Sequence, residues 1–219
     1  MADLTAIILT KNESKNIEEC IKSIKGFAKR IVVVDSGSTD NTVELAGNLG
    51  AEVYFNKFDY YAQQFNWGID NTKINTKWIL RLDADERFTP KLCLEAENMM
   101  KRHENDDING ITMEAWLYFL GKRLKHGASK KRKLMIFKTG IGRIEDRKRD
   151  AHTVISTGKS VSTTERFIHF DFKDINSFID KYNYYATREK EDYIAYLNGG
   201  EEGIKTDVKI QKTRKRKFG

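Results

Sequence analysis

The chain predicts an α/β fold, a Rossmann-like and mainly parallel sheet flanked by helices, with a helical extension at the C-terminal end. Three observations predict it. Short runs of β-branched and aliphatic residues alternate with segments of helical apolar period through the first hundred residues. The connections between them are short, as right-handed crossovers between parallel strands require. Three of the strand runs end in polar clusters that carry carboxylates, at the edge where ligands of such sheets bind.

Residues 4–9, Leu-Thr-Ala-Ile-Ile-Leu, predict a buried strand that feeds a loop at Thr10, Lys11, Asn12 and Glu13. Ile17, Cys20, Ile21 and Ile24 then fall at helical spacing, and Gly26 closes the segment. Residues 31–34, Ile-Val-Val-Val, predict a second buried strand that ends at Asp35 and is followed by Ser-Gly-Ser-Thr-Asp. Val43, Leu45, Ala46 and Leu49 predict a short helix, capped by Ser38 or Thr39 and ended by Gly50. Residues 51–54 read as a third strand, 60–69 as a helix, and 78–82 as the fourth strand, which delivers Asp83. Pro90 sits where a helix begins, so 92–100 is read as helical, and 111–120 and 134–137 as strands. Residues 174–196 place Ile175, Phe178, Ile179, Tyr182, Tyr185 and Ala186 on one helical face.

Composition narrows the function classes. The 219 residues suffice for one large α/β domain. Cys20 and Cys93 form neither a disulfide framework nor a zinc motif, which fits a reducing cytoplasm. No stretch approaches the roughly 18 apolar residues of a membrane-spanning helix, and the N-terminus does not read as a signal peptide. The net charge of +7 is uneven: residues 121–149 carry +10, residues 205–219 carry +6, and the remainder is acidic at −9. Two such basic segments attract phosphate, whether of a nucleotide, a nucleic acid or an anionic lipid surface, or are simply solvated.

The chemistry concentrates at residues 80–86, Leu-Arg-Leu-Asp-Ala-Asp-Glu. Alternate residues of an extended chain face the same way, so Asp83 and Asp85 can share a cleft while Ala84 packs behind. Alone, the doublet reads first as a solvated acidic turn; three polar clusters on one sheet edge argue for a ligand site. The Asp35 carboxylate can accept from a pyrimidine N–H, Asn12 and Glu13 can serve base and ribose, and Ser36, Gly37 and Ser38 bring the backbone close to a helix start. The same stretch also reads as a plain turn with an N-cap. The chain has no G-x-x-x-x-G-K-[ST] loop and no G-x-G-x-x-G after a strand, so a metal must carry diphosphate charge. Asp85, assisted by Asp83 or Glu86, offers the oxygen ligands that suit Mg²⁺ or Mn²⁺.

Ala-Ile-Ile-Leu-Thr-Lys-Asn-Glu, Val-Val-Val-Asp-Ser-Gly-Ser-Thr-Asp and Leu-Arg-Leu-Asp-Ala-Asp-Glu, in this order and spacing, closely resemble the family 2 glycosyltransferases of GT-A fold. The later Ala151-His152, Ile168-His169-Phe170 and Lys181-Tyr182-Asn183-Tyr184-Tyr185 look like the bacterial subgroup that adds a hexose to lipopolysaccharide-core or capsule-type acceptors. The resemblance implies that residues 1–100 bind a nucleotide sugar, that 101–196 form the acceptor-binding half of the same domain, and that 197–219 are a basic tail. It implies that Thr10, Asn12, Glu13 and Asp35 hold the nucleoside, most often uridine, beside the Gly37 turn. Gln63, Asn66 and Gly68 resemble a segment whose polar side chains help seat the nucleotide. Asp83 would contact ribose or sugar, and Asp85 would bind Mn²⁺ or Mg²⁺. His169 resembles a late histidine that reaches the metal or diphosphate, although between Ile168 and Phe170 it also reads as a core histidine.

The implied activity is inverting, metal-dependent transfer of a hexose from a UDP-sugar to a saccharide or lipid-linked saccharide. Lys130 to Lys133 and Arg147 to Arg149 are candidates for diphosphate and acceptor contacts. One departure stands out: the subgroup often has His-Glu where this chain has His152-Thr153, and threonine cannot serve as the base. Asp150 is the replacement candidate, with Asp146 and Glu145 behind it. The tail around residues 209–217 has the charge to rest on an anionic membrane face, or is simply solvated. Two other readings remain: a sugar-nucleotide pyrophosphorylase, whose Gly-rich loop after the first strand is missing, and a nucleic-acid-binding module, for which no RRM, KH or zinc-finger pattern exists, so no nucleic acid is expected.

Overall fold

The structure, a computed structural model, describes residues 1–126, 132–146, 151–171 and 175–197. The chain divides into two units, Met1–Phe172 and Lys173–Gly219. The boundary expected near residue 100 falls inside the first unit.

In the first unit, β1 (Ala2–Thr10), α1 (Ile17–Ile24), β2 (Ala28–Asp35), α2 (Thr42–Asn48), β3 (Glu52–Phe55), α3 (Tyr61–Asn71) and β4 (Trp78–Asp83) alternate as the apolar pattern predicts. β5 (Glu86–Arg87), α4 (Pro90–Arg102), β6 (Ile108–Phe119), β7 (Lys122–Arg123), β8 (Arg132–Lys138), β9 (Gly142–Ile144), β10 (Thr153–Ile155) and β11 (Lys159–Asp171) complete it. The sheet runs β3-β2-β1-β4-β8-β6-β11-β5, with β7 paired to β6. Its first four strands are parallel. Beyond β4 the sheet turns mixed, because β8 pairs antiparallel with both β4 and β6 while β11 runs parallel to β6. β9 and β10 form a separate antiparallel pair.

β1 reads as a continuous apolar run because both its faces are covered. Leu4, Ala6 and Ile8 join a core with Ile17, Cys20, Ile21 and Ile24 of α1 and Leu92, Ala96 and Met100 of α4. Ile7 turns the other way and packs with Val32, Val34, Ile79 and Phe137 under Ala62 and Phe65 of α3. Each fully buried aliphatic side chain contributes about 1.5–3 kcal/mol. Gly68 owes its place to this packing: a Cβ there would meet Val34 at 3.0 Å and Ile7 at 3.3 Å. It lets α3 lie close against the sheet and has no side chain to offer a ligand.

One helix cap differs from expectation. The N-cap of α2 is Asn41, not Ser38 or Thr39. The Asp40 carboxylate accepts instead from the Thr42 N–H at 3.1 Å and the Thr42 hydroxyl at 2.5 Å. Ser38 and Thr39 are already committed to the preceding loop. α4 follows the rules more closely, with Pro90 in its first turn and the Thr89 hydroxyl accepting from Leu92 N–H.

In the second unit the described residues form α5 (Ile175–Leu197). Its aromatic side chains meet along the helix, Phe178 tilted against Tyr182 at 4.4 Å and Tyr182 edge-on to Tyr185 at 6.3 Å between ring centroids.

Candidate functional site

Strand register assembles the three polar clusters. Thr10 of β1 stands opposite Asp35 of β2, and Leu9 stands opposite Asp83 of β4. Parallel strands lie about 4.8 Å apart, so the carboxyl ends of β2, β1 and β4 form one short ledge.

The β1–α1 and β2–α2 loops are laced together at one end of that ledge. The Asp35 carboxylate, 3 % exposed, accepts four bonds: from the Thr10 and Ser38 hydroxyls at 2.8 and 2.5 Å, and from the Gly37 and Ser38 N–H groups at 2.8 and 2.7 Å. Burial works to raise its pKa, but these donors outweigh it and hold the carboxyl below its usual value. Four bonds match the acceptor capacity of a carboxylate. Asp35 therefore shapes the loop that faces the ledge. Asn12, with φ +54°, accepts from Thr39 N–H at 2.8 Å and gives its own N–H to Ser38 at 2.8 Å. Glu13 N–H donates to Thr42 at 2.8 Å, and Lys11 Nζ reaches the Ser36 and Gly37 carbonyls at 2.9 and 2.8 Å.

The middle of the ledge is a partly buried charge cluster. Asp83 accepts from the Tyr61 hydroxyl at 2.5 Å on one oxygen and from Lys133 Nζ at 2.7 Å on the other. Lys133 also donates to Glu86 at 2.5 Å, and Glu86 accepts from the Asp83 N–H at 3.0 Å. Arg81 donates to Tyr61 Oη at 2.9 Å and to Thr153 Oγ1 at 3.0 Å. Burial works to raise the Asp83 pKa, but the charges of Lys133 and Arg81 drive it far below the usual carboxylate range. For Lys133 burial opposes the charge, and Asp83 and Glu86 overcome it to hold the ammonium protonated. Glu86, 1 % exposed, is raised by burial and by its neighbours Asp83 and Asp85, against the pull of Lys133.

Asp85 lies outside this clamp and faces β11. His169 Nε2 lies 2.9 Å from Asp85 Oδ2, and the Phe170 N–H donates to the Asp85 carbonyl at 2.8 Å. The antiparallel β5–β11 pairing, which sets His169 opposite Glu86, brings the two together. His169 thus faces a carboxylate and is not simply a core histidine. Among the described residues no cluster of three or more His, Cys, Asp or Glu is built for a metal. One carboxylate oxygen and one imidazole nitrogen meeting at a point still fit Mn²⁺ or Mg²⁺ that takes its other ligands from a diphosphate and water.

Other expected residues fall elsewhere. Gln63 and Asn66 lie along the outer side of α3 with Asp146, in a groove also lined by Tyr60 and Arg143. Asn66 is tied to β9: its amide donates to the Ile144 carbonyl at 2.8 Å and accepts from the Ile144 N–H at 3.1 Å. The glutamine that reaches the β2 loop is Gln64, whose amide donates to Ser36 Oγ at 3.1 Å and to the Asn56 carbonyl at 3.0 Å. Asp146 accepts a short bond from the Tyr60 hydroxyl. Asp150, Lys130, Lys131 and residues 147–149 lie outside the described residues. Tyr61, Gln64 and Arg81 are ledge residues for which the sequence suggested no role, and Lys133, a candidate for diphosphate or acceptor contacts, bridges Asp83 and Glu86. Gln64 had a signal, because it lies one turn before Gly68, which is buried on the same helical face.

Residues 5–162 match the family described as Glycosyl transferase family 2. An uncharacterized glycosyltransferase of Rickettsia felis is 28% identical over 210 residues, covering 89% of this chain and 71% of that protein. The lipopolysaccharide core biosynthesis glycosyltransferase LpsC of Rhizobium meliloti is 26% identical over 198 residues, covering 87% and 72%. Among solved structures, S. aureus TarS 1-349 superposes with a TM-score of 0.52 at 14% identity, over 78% of this chain and 60% of that one. That likeness is one of fold, and the fold is GT-A. The chain spans about seven-tenths of these curated relatives and three-fifths of the TarS fragment.

Proposed function

The chain belongs to glycosyl transferase family 2, and from that premise we propose that it is a metal-dependent, inverting transferase that moves a hexose from a UDP-sugar to a saccharide or lipid-linked saccharide. The observation that carries this reading is the ledge itself: Asp85 meets His169 at one end, and Thr10, Asn12 and Asp35 order the loops at the other.

Each residue then has a task. The loop fixed by Asp35, with Thr10, Asn12, Glu13 and Gly37, receives the nucleoside. Asp83, held on both oxygens, faces ribose or sugar in one orientation. Asp85 and His169 would hold Mn²⁺ or Mg²⁺, which when bound offsets the negative charge that develops on the leaving diphosphate. Lys133, bonded to both Asp83 and Glu86, holds Asp83 in place. The acceptor hydroxyl oxygen bonds to the anomeric carbon while the bond from that carbon to the diphosphate oxygen breaks on the opposite face. The hydroxyl proton passes to a carboxylate, for which Asp146 and Asp150 are the candidates.

The named relative LpsC supports a saccharide acceptor of the surface-polysaccharide type. Among the described residues no helix is long and apolar enough to cross a membrane. We propose a cytoplasmic enzyme on the ground of its two cysteines, which form no disulfide or zinc motif, and the charge of residues 205–217 suits an anionic membrane face.

The test is to incubate the protein with UDP-hexoses and Mn²⁺ and to follow UDP release. Slow hydrolysis of one donor, lost with EDTA and restored by Mn²⁺, supports the proposal; release of UDP from no donor with Mn²⁺ or Mg²⁺ contradicts it. The anomeric configuration of the released sugar, read by NMR, tests inversion.

A further inference from the structure

We propose that the groove between α3 and β9 is a binding site for a neutral oligosaccharide, the acceptor of the reaction; this rests on the transferase reading above. The groove follows one side of α3. Tyr60, Gln63, Trp67, Asp70 and Asn71 recur at helical spacing along it, whereas Ala62, Phe65 and Gly68 turn into the core. Arg143 of β9 forms the opposite wall.

Two bridges bound the groove. At one end the Tyr60 hydroxyl donates to Asp146. At the other Arg143 donates to both oxygens of Asp70 at 2.8 Å, a bidentate pair. The clip from Asn66 to the Ile144 backbone fixes the floor between them. The ten helical residues from Tyr61 to Asp70 span about 15 Å, longer than a single sugar ring.

The lining selects the ligand class. An indole and a phenol offer apolar faces with polar tips, and amide, carboxylate and guanidinium groups offer directional bonds to hydroxyls. Among the described lining residues Asp70 neutralises Arg143 and Asp146 adds one negative charge, so these side chains disfavour phosphorylated or carboxylated sugars. The near end also has the right neighbour. Tyr60 caps α3 at the end that follows the carboxyl edge of β3, and Tyr61 beside it holds Asp83, so this end of the groove is the one nearer the donor ledge, and it carries Asp146.

The chain has three tryptophans, Trp67, Trp78 and Trp116, so its indole N–H resonances report on the groove separately. The full chain is titrated with neutral di- and trisaccharides of glucose, galactose and mannose. The expected result is a saturable shift of the Trp67 indole with Trp78 and Trp116 unmoved, and a Kd raised about fivefold in Asn71→Ala, the size of one lost hydrogen bond. Arg143→Ala, which opens the far end, is expected to weaken binding as well. Failure of every saccharide to move Trp67, or wild-type affinity in both variants, overturns the proposal. Titrating UDP with Mn²⁺ in the same samples keeps the two readings apart: UDP binding with a silent Trp67 overturns the groove alone, and saccharide binding without UDP binding overturns the donor site alone.

Discussion

Asp85 and His169 are 84 positions apart in sequence, and their side chains meet at 2.9 Å. The contact is produced by the two residues of β5, which pair with the far end of β11 and fold the turn after β4 back against it. Asp83, two residues earlier, has both oxygens clamped by Tyr61 and Lys133. The geometry therefore divides the doublet: Asp85 is placed to share a ligand with His169, and Asp83 is placed to hold one orientation.

Lys133→Met should destabilise the protein by about 3 kcal/mol, because it leaves Asp83 and Glu86 without their shared cation in a poorly solvated place. Adding Glu86→Gln should recover part of that loss. Urea unfolding of the two single variants and the double variant closes the cycle, and strict additivity would contradict the coupling.

Tyr61→Phe removes the hydroxyl that links Arg81 to Asp83, with an expected cost of about 1–3 kcal/mol. Tyr60→Phe, one residue away with its hydroxyl on exposed Asp146, should stay within about 0.5 kcal/mol of wild type. Equal effects in the two variants would argue against a buried Arg81–Tyr61–Asp83 chain.

Acid stability should depend on Asp40. Burial opposes ionisation, but bonds from Thr42 and Ser14 prevail and lower its pKa from 3.8 to about 2. A carboxyl with a depressed folded pKa adds stability above its unfolded value, and that stability is lost as pH falls through the folded one. The thermal midpoint should thus drop between about pH 4 and pH 2, and Asp40→Asn should flatten that slope while lowering the plateau at neutral pH. An unchanged slope would remove Asp40 from the account.

Much of this was legible in residues 4–86. The apolar runs gave β1, β2 and β4, and their polar ends gave Thr10, Asp35 and Asp83, because both faces of a parallel sheet are buried and its loops are short. The mixed half was harder. β8 lies in a basic stretch where Lys133 looks like one more solvated lysine of 130–133. The register shift in β8, where Ile111 and Thr112 of β6 stand opposite Ile136 and Leu134, breaks the period-two pattern, so no alternation marks Lys133 as an inward charge. Gln64 was passed over for Gln63 because neighbouring amides differ only in helical phase. The β5–β11 pairing joins segments too far apart for any local pattern to show.

Titrating UDP by calorimetry, with and without Mn²⁺, into wild type and Asp85→Ala tests the central claim most directly. The account predicts that Mn²⁺ tightens UDP binding to the wild type at least about tenfold, or 1.4 kcal/mol, and has no such effect on Asp85→Ala. UDP binding that is independent of metal and unchanged in the variant would contradict it.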